Sequence, residues 1–283
     1  MKNVSGFKIF LTLSLFIWSQ VLYSQTEGFS KIKWERKKIA TGLVWKSSHT
    51  LIQDSIPQNI NILIINLNKR KLLVSYDPSG NIVLSKQAST AGALAAVNAG
   101  FFNTKDGGSV TYIRTGGIIS DADTAKKWSR NSNMTGSILI DKSGHVIIDS
   151  SHMNSWYDSH PEYPDVLLTG PLLLTSDKKA ELPHTSLVTA RHPRTALGKC
   201  GKNKIILITL DGRTDQAKGM TLAELTDFMI SLKCKDAINL DGGGSTTMWI
   251  SGEPFDGVVN MPCDNKKFDH EGSRAVSDIL VIK

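Results

Sequence analysis

Residues 204–245 read KIILITLDGRTDQAKGMTLAELTDFMISLKCKDAINLDGGGS, and this stretch decides the fold prediction. The run Lys204–Leu210 is continuously apolar, which suits a strand buried on both faces. The TLAELTDFMISLK segment has apolar residues at helical spacing, and Thr221 with Glu224 forms a capping box at its start. Ala237–Leu240 is a second short buried strand. The pattern predicts a strand–helix–strand unit whose crossover makes the two strands parallel.

The segments on either side of this unit are rich in strands. Asn59–Leu67 is a strong strand with Lys71–Tyr76 as its expected hairpin partner. Further predicted elements are a hairpin or edge strand in 30–46, helical character in 83–95, a short strand at 95–98, a hairpin over 137–149, an irregular surface loop at 150–165, and strands at 165–168 and 171–175. We predict a mixed α/β (α+β) fold. It forms a single sheet-centred domain over 25–283, in which 25–58 is a candidate N-terminal strand extension.

The first two dozen residues differ from the rest of the chain. Lys2 and Lys8 give a positive start, and an apolar run over Ile9–Trp18 is followed by the small residue Ser24. This pattern indicates a secretory signal over residues 1–24. The alternative is a membrane anchor, although the run is short for spanning a bilayer. We therefore expect a secreted or periplasmic protein without a membrane span after signal removal.

Charge narrows the class of partner. The formal net charge is +7, and the lysines are scattered rather than clustered. Because no basic stripe alternates with aromatic residues, nucleic-acid binding is not expected. A mild positive field favours an anionic substrate. The sequence does not determine the oligomeric state.

Both strands of the decisive unit end in an Asp-Gly pair. The first is followed by Asp211-Gly212-Arg213 and the second by the turn Asp241–Ser245. The carboxyl ends of parallel strands share one edge of a sheet, so both carboxylates should face one cleft, roughly 5 Å apart at the backbone if the strands are neighbours. Glycines permit positive φ, and the N–H groups of Gly242, Gly243 and Gly244 could form an anion-binding nest. The alternative is an ordinary tight turn.

The three cysteines are Cys200, Cys234 and Cys263. Cys200 and Cys234 each precede a predicted strand, and parallel strands would bring these starts together. A Cys200–Cys234 disulfide is one prediction, and two buried free thiols are the alternative. The cysteines lack metal-ligand spacing, so a zinc site is not expected.

Several segments together resemble the phosphodiester glycosidase family. They match in order over about residues 60–283, and they are Val97–Phe102, Thr169–Leu173, Arg194–Gly198, Leu210–Arg213, Asn239–Met248 and the closing Arg274–Val281. The chain departs from the family pattern at Ala275, where proline is usual, and in a longer, more charged stretch between Asp256 and Ser273. These departures bear on the substrate more than on the reaction.

The resemblance implies hydrolysis of a sugar-1-phosphodiester at the anomeric carbon. The implied catalytic residues are Asp211, Asp241 and Arg194, with the role of each aspartate open. Arg194 or Arg213 could grip the phosphate through two donors. The implied substrate-binding residues are Asn98, Arg213, Gly242, Gly243, Gly244, Ser245, Thr246 and Arg274, and His192 could titrate beside Arg194. The alternatives are structural: Asn98 could form a turn, Ser245 and Thr246 could tie the glycine turn together, Arg274 could pair with a structural carboxylate, and His192 could be a surface histidine.

Two other functions fit the same residues. The first is a phosphodiesterase that cleaves the P–O bond with a divalent cation such as Ca²⁺ or Mg²⁺ held by aspartates. The second is a non-catalytic carbohydrate-binding module that stacks sugars on the aromatic residues of 150–165. If the protein is a glycosidase, it requires no cofactor, and its expected partner is a phosphorylated sugar or glycan substrate.

Overall fold

The computed structural model describes residues 28–120 and 132–283. The predicted secretory signal over 1–24 lies outside the described residues. Over the described ranges the chain forms a sheet-dominated α+β domain, which confirms the predicted fold class. None of the helices in these ranges is both long and apolar enough to cross a membrane.

The largest sheet carries the decisive unit. Its strands are β1 (Glu35–Ala40), β2 (Leu43–Ile52), β3 (Ile56–Asn66), β11 (Leu172–Thr175), β12 (Lys178–Lys179), β13 (Arg194–Gly201), β14 (Lys204–Leu210) and β15 (Asp236–Asn239). Their spatial order is β1-β2-β3-β14-β13-β15-β11-β12. Strands β1 and β2 therefore extend this sheet beyond β3.

Two smaller sheets pack beside the large one. The first has the order β16-β5-β17-β4 and the second has the order β7-β6-β10-β8-β9. Their strands are β4 (Leu72–Tyr76), β5 (Ala95–Asn98), β6 (Ile113–Thr115), β7 (Ile118–Ser120), β8 (Gly136–Ile140), β9 (Val146–Ser150), β10 (Asp165–Thr169), β16 (Met248–Ile250) and β17 (Asp278–Ile282). The helices whose two ends both lie in the described ranges are α1 (Leu84–Thr90), α2 (Asn154–Asp158), α3 (Ser186–Thr189) and α4 (Leu222–Ser231), with 3-10 turns at Gly243–Ser245 and Phe255–Gly257.

Strand β14 is buried on both faces, as its apolar run predicted. Ile205 and Leu207 belong to a core shared with the two smaller sheets. Ile206 and Ile208 point to the other face, where they join a second core with residues of α4 such as Phe228. Burial on both sides explains why no polar alternation interrupts the strand.

The predicted strand–helix–strand unit is present as β14, α4 and β15. The capping box is confirmed, because the Glu224 N–H donates to Thr221 Oγ1 at 3.2 Å and the Thr221 N–H donates to Glu224 Oε2 at 3.0 Å. The two strands run in the same direction, but β13 lies between them and pairs antiparallel with each. The predicted parallel direction is therefore confirmed, but the condition that the two strands are neighbours is not met. Long-range pairing placed β13 in the gap.

Two local predictions are also corrected. Strand β4 is not the hairpin partner of β3, since β3 pairs with β2 and β14 while β4 pairs with β17. The stretch 150–165 is not wholly an irregular surface loop. It contains α2, and its Tyr157 is buried against Tyr112 with ring centroids 5.0 Å apart.

Cys200 and Cys234 form a disulfide, and Cys263 is a buried free cysteine. Cys200 lies near the end of β13 and just before β14, and Cys234 lies just before β15, as expected. The pairing forms because β13 is antiparallel to β15, and its Lys199 stands opposite Asp236 at the start of that strand.

Candidate active site

One edge of the large sheet gathers the sequence-predicted residues. Strands β14 and β15 end at this edge and β13 begins there, because Arg194 stands opposite Leu210 and the Leu240 N–H donates to the Thr195 carbonyl at 2.9 Å. Asp211 and Asp241 therefore emerge on the same side, as predicted. With β13 between them, their strands are separated by about 10 Å rather than by one strand spacing.

The turn after β15 is a short 3-10 helix rather than an open nest. The Gly242 N–H donates to Oδ1 of Asp241 at 2.9 Å, and the Gly243 N–H donates to the Pro193 carbonyl at 2.9 Å. The expected convergence of three N–H groups on an anion is thus wrong, because the protein itself occupies two of them.

The glycines instead allow close packing around the turn. Gly243 has φ +62°, and a Cβ on it would lie 2.9 Å from Nη2 of Arg213. A Cβ on Gly242 would lie 2.6 Å from the Pro193 carbonyl oxygen. A Cβ on Gly244 would meet Arg274 and Asp264. Side chains at Gly243 and Gly244 would push Arg213 and Arg274 away from the turn.

Asp241 is the carboxylate that solvent reaches. Its side chain is half-buried between Arg213 and Arg274. Burial raises the pKa of Asp241 to about 6, while hydrogen bonds from Ser245 and Gly242 and the charges of the two arginines lower it. A carboxylate with a pKa near neutrality beside two cations can accept a proton and still be ionised at pH 7.

Arg213 is the most exposed of the site arginines. Its φ of +65° turns the residue back over the glycine turn, and Nη2 lies 3.5 Å from Nδ1 of His192. Burial and the charges of Arg194 and Arg213 lower the pKa of His192. His192 is therefore neutral at pH 7, and the positive charge at this position belongs to Arg213.

Arg274 lies on the opposite side of the turn. Its Nη2 donates to Oδ1 of Asp264 in an ion pair that is partly exposed on both sides. The hydrogen bond from Arg274 to Asp264 raises the pKa of Arg274. Arg274 thus lies beside the glycine turn and also pairs with a carboxylate, so both alternatives stated for it describe part of its environment.

Asp211 is closed off from solvent. It is 1% exposed and accepts three hydrogen bonds, from Asn59 Nδ2 at 2.7 Å, Asn260 Nδ2 at 2.7 Å and the Met261 N–H at 2.9 Å. Burial raises the pKa of Asp211 to about 7, although these hydrogen bonds oppose the shift. Its carboxylate joins β14 to β3 and to the 260–261 segment.

Arg194 is also turned inward. It is 1% exposed, and its guanidinium donates at 2.8 Å each to the carbonyls of Met220, Leu187 and Ala190. Burial lowers the pKa of Arg194 to about 10, with Arg213 adding to the effect. In this geometry Arg194 fastens the 187–192 segment beneath the site.

The other predicted substrate-binding side chains, those of Asn98, Ser245 and Thr246, are buried within the protein. Asn98 donates to the Asp241 carbonyl at 2.6 Å and accepts from the Thr195 hydroxyl at 2.6 Å and the Thr247 N–H at 3.1 Å. It therefore positions the Asp241 turn. Ser245 and Thr246 are 1% and 0% exposed.

Sequence reasoning missed the residues supplied by the stretch between β16 and β17. Asn260 and Met261 cover Asp211, Asp264 pairs with Arg274, and the buried thiol of Cys263 lies beside Arg213. The unusual length and charge of this stretch were visible in the sequence. Its placement over the site was not, because the contacts join residues far apart in the chain.

The aromatic residues of 150–165 do not form an open platform. The Trp156 ring is stacked between His152 and His160, with centroids 4.0 Å and 3.8 Å away. Because both faces of the indole are covered, the stacking surface predicted for sugars is occupied by the protein. Over 28–120 and 132–283, no group of three or more His, Cys, Asp or Glu side chains is arranged to hold a metal ion.

Solved structures share this architecture. The zebrafish N-acetylglucosamine-1-phosphodiester alpha-N-acetylglucosaminidase catalytic domain, auto-inhibited by its pro-peptide, aligns over 90% of this chain and 85% of its own, with TM-score 0.64 and 22% identity. A hypothetical protein from Synechocystis aligns over 89% and 64%, with TM-score 0.68 and 13% identity. A putative exported protein from Burkholderia pseudomallei aligns over 80% and 74%, with TM-score 0.54 and 16% identity. At these identities the likeness establishes the fold.

Sequence comparison establishes the family. The profile of the phosphodiester glycosidase domain matches residues 91–283, and the chain belongs to this family. Bovine N-acetylglucosamine-1-phosphodiester alpha-N-acetylglucosaminidase is 26% identical over 191 residues, which is 64% of this chain and 35% of the bovine protein. The Bacillus subtilis SPbeta prophage-derived protein YomE is 30% identical over 112 residues, 38% of this chain and 16% of YomE. The chain thus spans about a third of the length of the bovine enzyme and a smaller share of YomE.

Proposed function

We propose that this chain hydrolyses the glycosidic bond of a sugar-1-phosphodiester, with exported glycans or envelope polysaccharide as the source of substrate. One observation carries the proposal. Asp241, the carboxylate of the predicted pair that solvent reaches, lies between Arg213 and Arg274 on one glycine turn. A sugar phosphodiester needs a carboxylate at the anomeric carbon and cations at the phosphate, and this turn offers both.

The chemistry follows from where charge develops. The bond between the anomeric carbon and the phosphate oxygen breaks, and its electron pair leaves on the phosphate. Because a phosphate ester is already a good leaving group, strong general-acid help is less necessary than for an ordinary glycoside. The oxygen of water ends on the anomeric carbon. Asp241 either takes the proton of that water directly or first attacks the sugar itself.

Arg213 is the arginine that we assign to the phosphate. Arg194 directs its guanidinium to backbone carbonyls, and Arg274 is paired with Asp264. Arg213 is exposed over the turn, and its charge acts on Asp241. A guanidinium can present two parallel donors to a phosphate, which fixes orientation and stabilises the negative charge on the departing group.

The proposal includes a secreted or periplasmic location. The Cys200–Cys234 disulfide supports it, because disulfides persist mainly in oxidising compartments. The names of the mammalian and zebrafish relatives make N-acetylglucosamine-1-phosphodiesters the first substrates to test.

Product identity tests the proposal. We expect a panel of sugar-1-phosphodiesters, incubated in ¹⁸O-labelled water, to yield free reducing sugar that carries the label and an unlabelled phosphomonoester. Asp241→Asn serves as the inactive control. Label in the phosphate together with sugar-1-phosphate would overturn the proposal in favour of P–O cleavage. A parallel reaction in chelator would then show whether a divalent cation is required. Binding without turnover on every diester would favour a carbohydrate-binding module.

A further inference from the structure

A third carboxylate, that of Asp278, lies close to Asp241 and has no role in the proposed reaction. Asp278, the first residue of β17, is 1% exposed. Its Oδ1 accepts a hydrogen bond from the Gly100 N–H, while Oδ2 is buried without a hydrogen-bond partner among the described residues. A Cβ on Gly100 would lie 2.9 Å from Oδ1 of Asp278 and 2.8 Å from Leu167, so the contact is tightly packed.

Asp278 is connected to Asp241 through one residue of backbone. The Ala99 N–H donates to the Asp278 carbonyl at 3.2 Å, and the Ala99 carbonyl accepts from the Asp241 N–H at 2.8 Å. Gly100, the next residue, is the one held by the Asp278 side chain. The position of the Asp241 turn is therefore set partly by how Asp278 holds residues 99–100.

The surroundings of Asp278 contain no compensating positive charge in the part of the chain that the structure describes. Among the neighbouring elements, Asp241 beyond β15 acts on it as a like charge, and Tyr76 stands opposite it on the paired strand β4. Burying an ionised carboxylate that has one hydrogen-bond donor and one unpaired oxygen costs far more free energy than burying the neutral carboxyl with the same contacts.

We propose that Asp278 is a positioning residue that carries a proton on Oδ2, and that in this neutral form it anchors residues 99–100 so that Asp241 is the ionised carboxylate of the site. Oδ1 is the acceptor for Gly100, so the proton resides on the other oxygen. Two nearby carboxyl groups then share one negative charge, which is the arrangement that like-charge repulsion favours. The inference rests on the proposed function for its kinetic readout only.

Burial is also the main cause of a raised pKa at this residue. It raises the pKa of Asp278 to about 7, and the charge of Asp241 adds to the shift. In the unfolded chain a carboxyl of this type titrates near pH 4, so between roughly pH 4 and pH 7 the folded state holds a proton that the unfolded state has lost. The stabilisation from this proton is complete below pH 4 and is lost as pH rises through about 7.

The test compares Asp278→Asn, Asp278→Ala and the matched control Asp165→Asn. Asparagine has the shape of a protonated carboxyl and keeps an acceptor for Gly100, whereas alanine removes the anchor. Asp165 is another buried carboxyl that accepts a backbone N–H, from Gly116 at 2.8 Å, but it lies on β10. It controls for the loss of a buried acid elsewhere.

The thermal readout does not depend on activity. We expect the Tm of Asp278→Asn minus the Tm of wild type to increase from pH 5 to pH 8. The reason is that wild type loses the stabilising proton over this range, whereas the variant has no such proton to lose. Asp278→Ala should have a lower Tm than Asp278→Asn throughout. An Asp278→Asn variant whose Tm difference from wild type is constant over this range would overturn the inference, even if no substrate had been found.

The kinetic readout uses the best sugar phosphodiester. We expect Asp278→Ala to lower kcat at least tenfold and Asp278→Asn to restore it to within about threefold of wild type. We expect wild-type kcat to decline above about pH 7, and this decline should be absent in Asp278→Asn and present in Asp165→Asn. Loss of activity in Asp278→Asn equal to that in Asp278→Ala would show that the charged form is required and would refute the proposal.

Discussion

The two Asp-Gly turns of this protein have similar sequences and opposite environments. Asp211 and Asp241 both follow a buried strand, and both lie at the same edge of the large sheet. Asp211 is sealed by three hydrogen-bond donors from other parts of the chain, whereas Asp241 is half-buried beside two arginines.

The residue that follows each Asp-Gly pair explains much of this difference. After Asp241, two more glycines leave room for Arg213 and Arg274 to approach the turn without covering the carboxylate. After Asp211, the chain turns away at Arg213, and Asn260 and Met261 close over the aspartate. A short motif therefore predicts where a carboxylate lies but not whether it meets solvent. The experiments below test whether one turn serves chemistry and the other serves structure.

The largest expected effect is that of Asp241→Asn on turnover. We expect kcat to fall by about 10³, in the range for loss of a proton-transfer or nucleophilic group. The fold should persist, because the Asn oxygen can still accept from the Gly242 N–H. Steady-state kinetics and thermal unfolding measure the two quantities. A variant that retains more than a tenth of wild-type kcat would mean that Asp241 is not the reacting carboxylate.

The complementary effect is that of Asp211→Ala on stability. This change leaves the donors of Asn59, Asn260 and Met261 without their acceptor, so we expect a loss of about 3 kcal/mol in the free energy of unfolding. Urea unfolding measures it, with Asp241→Asn as the matched control at the other turn. If both variants were equally stable and Asp211→Ala were the less active, the two roles would have to be exchanged.

A smaller effect separates the two arginines of the Asp241 turn. We expect Arg213→Ala to lower kcat/KM by about 10- to 100-fold, the scale of charge-assisted hydrogen bonds. Arg274→Ala should cost less, because Asp264 already offsets part of that charge. Arg213→Lys keeps the charge without the two-donor fork and should fall between wild type and Arg213→Ala. A larger loss in Arg274→Ala than in Arg213→Ala would move the phosphate contact to the other side of the turn.

The prediction of the fold succeeded where the signal was local. The apolar run of β14 and the capping box of α4 involve residues close together in sequence, and both are present. The pairing of β3 with β4 failed, although the two strands are adjacent in sequence. Which strand pairs with which depends on contacts across the whole chain, and β4 pairs with β17 near the end of the chain instead.

The candidate site shows the same division. The sequence alone placed Asp211, Arg213 and Asp241 at one edge, because residues that end strands of one direction share an edge. Arg274 was expected at the site only from the family resemblance. The sequence could not reveal Asp278, since nothing in its local pattern marks a buried carboxyl behind Asp241.

By itself, the sequence determined the strand–helix–strand unit, the edge at which its aspartates emerge and the family to which the chain belongs. Only the tertiary structure decided that β13 separates the two strands, that Asp211 is buried and that Asp241 remains open. The physical reason is distance along the chain. Periodicity and capping act over a few residues, whereas Asp211 is covered by Asn59, 152 positions away, and by Met261, 50 positions away. Such contacts form only when the whole domain has folded.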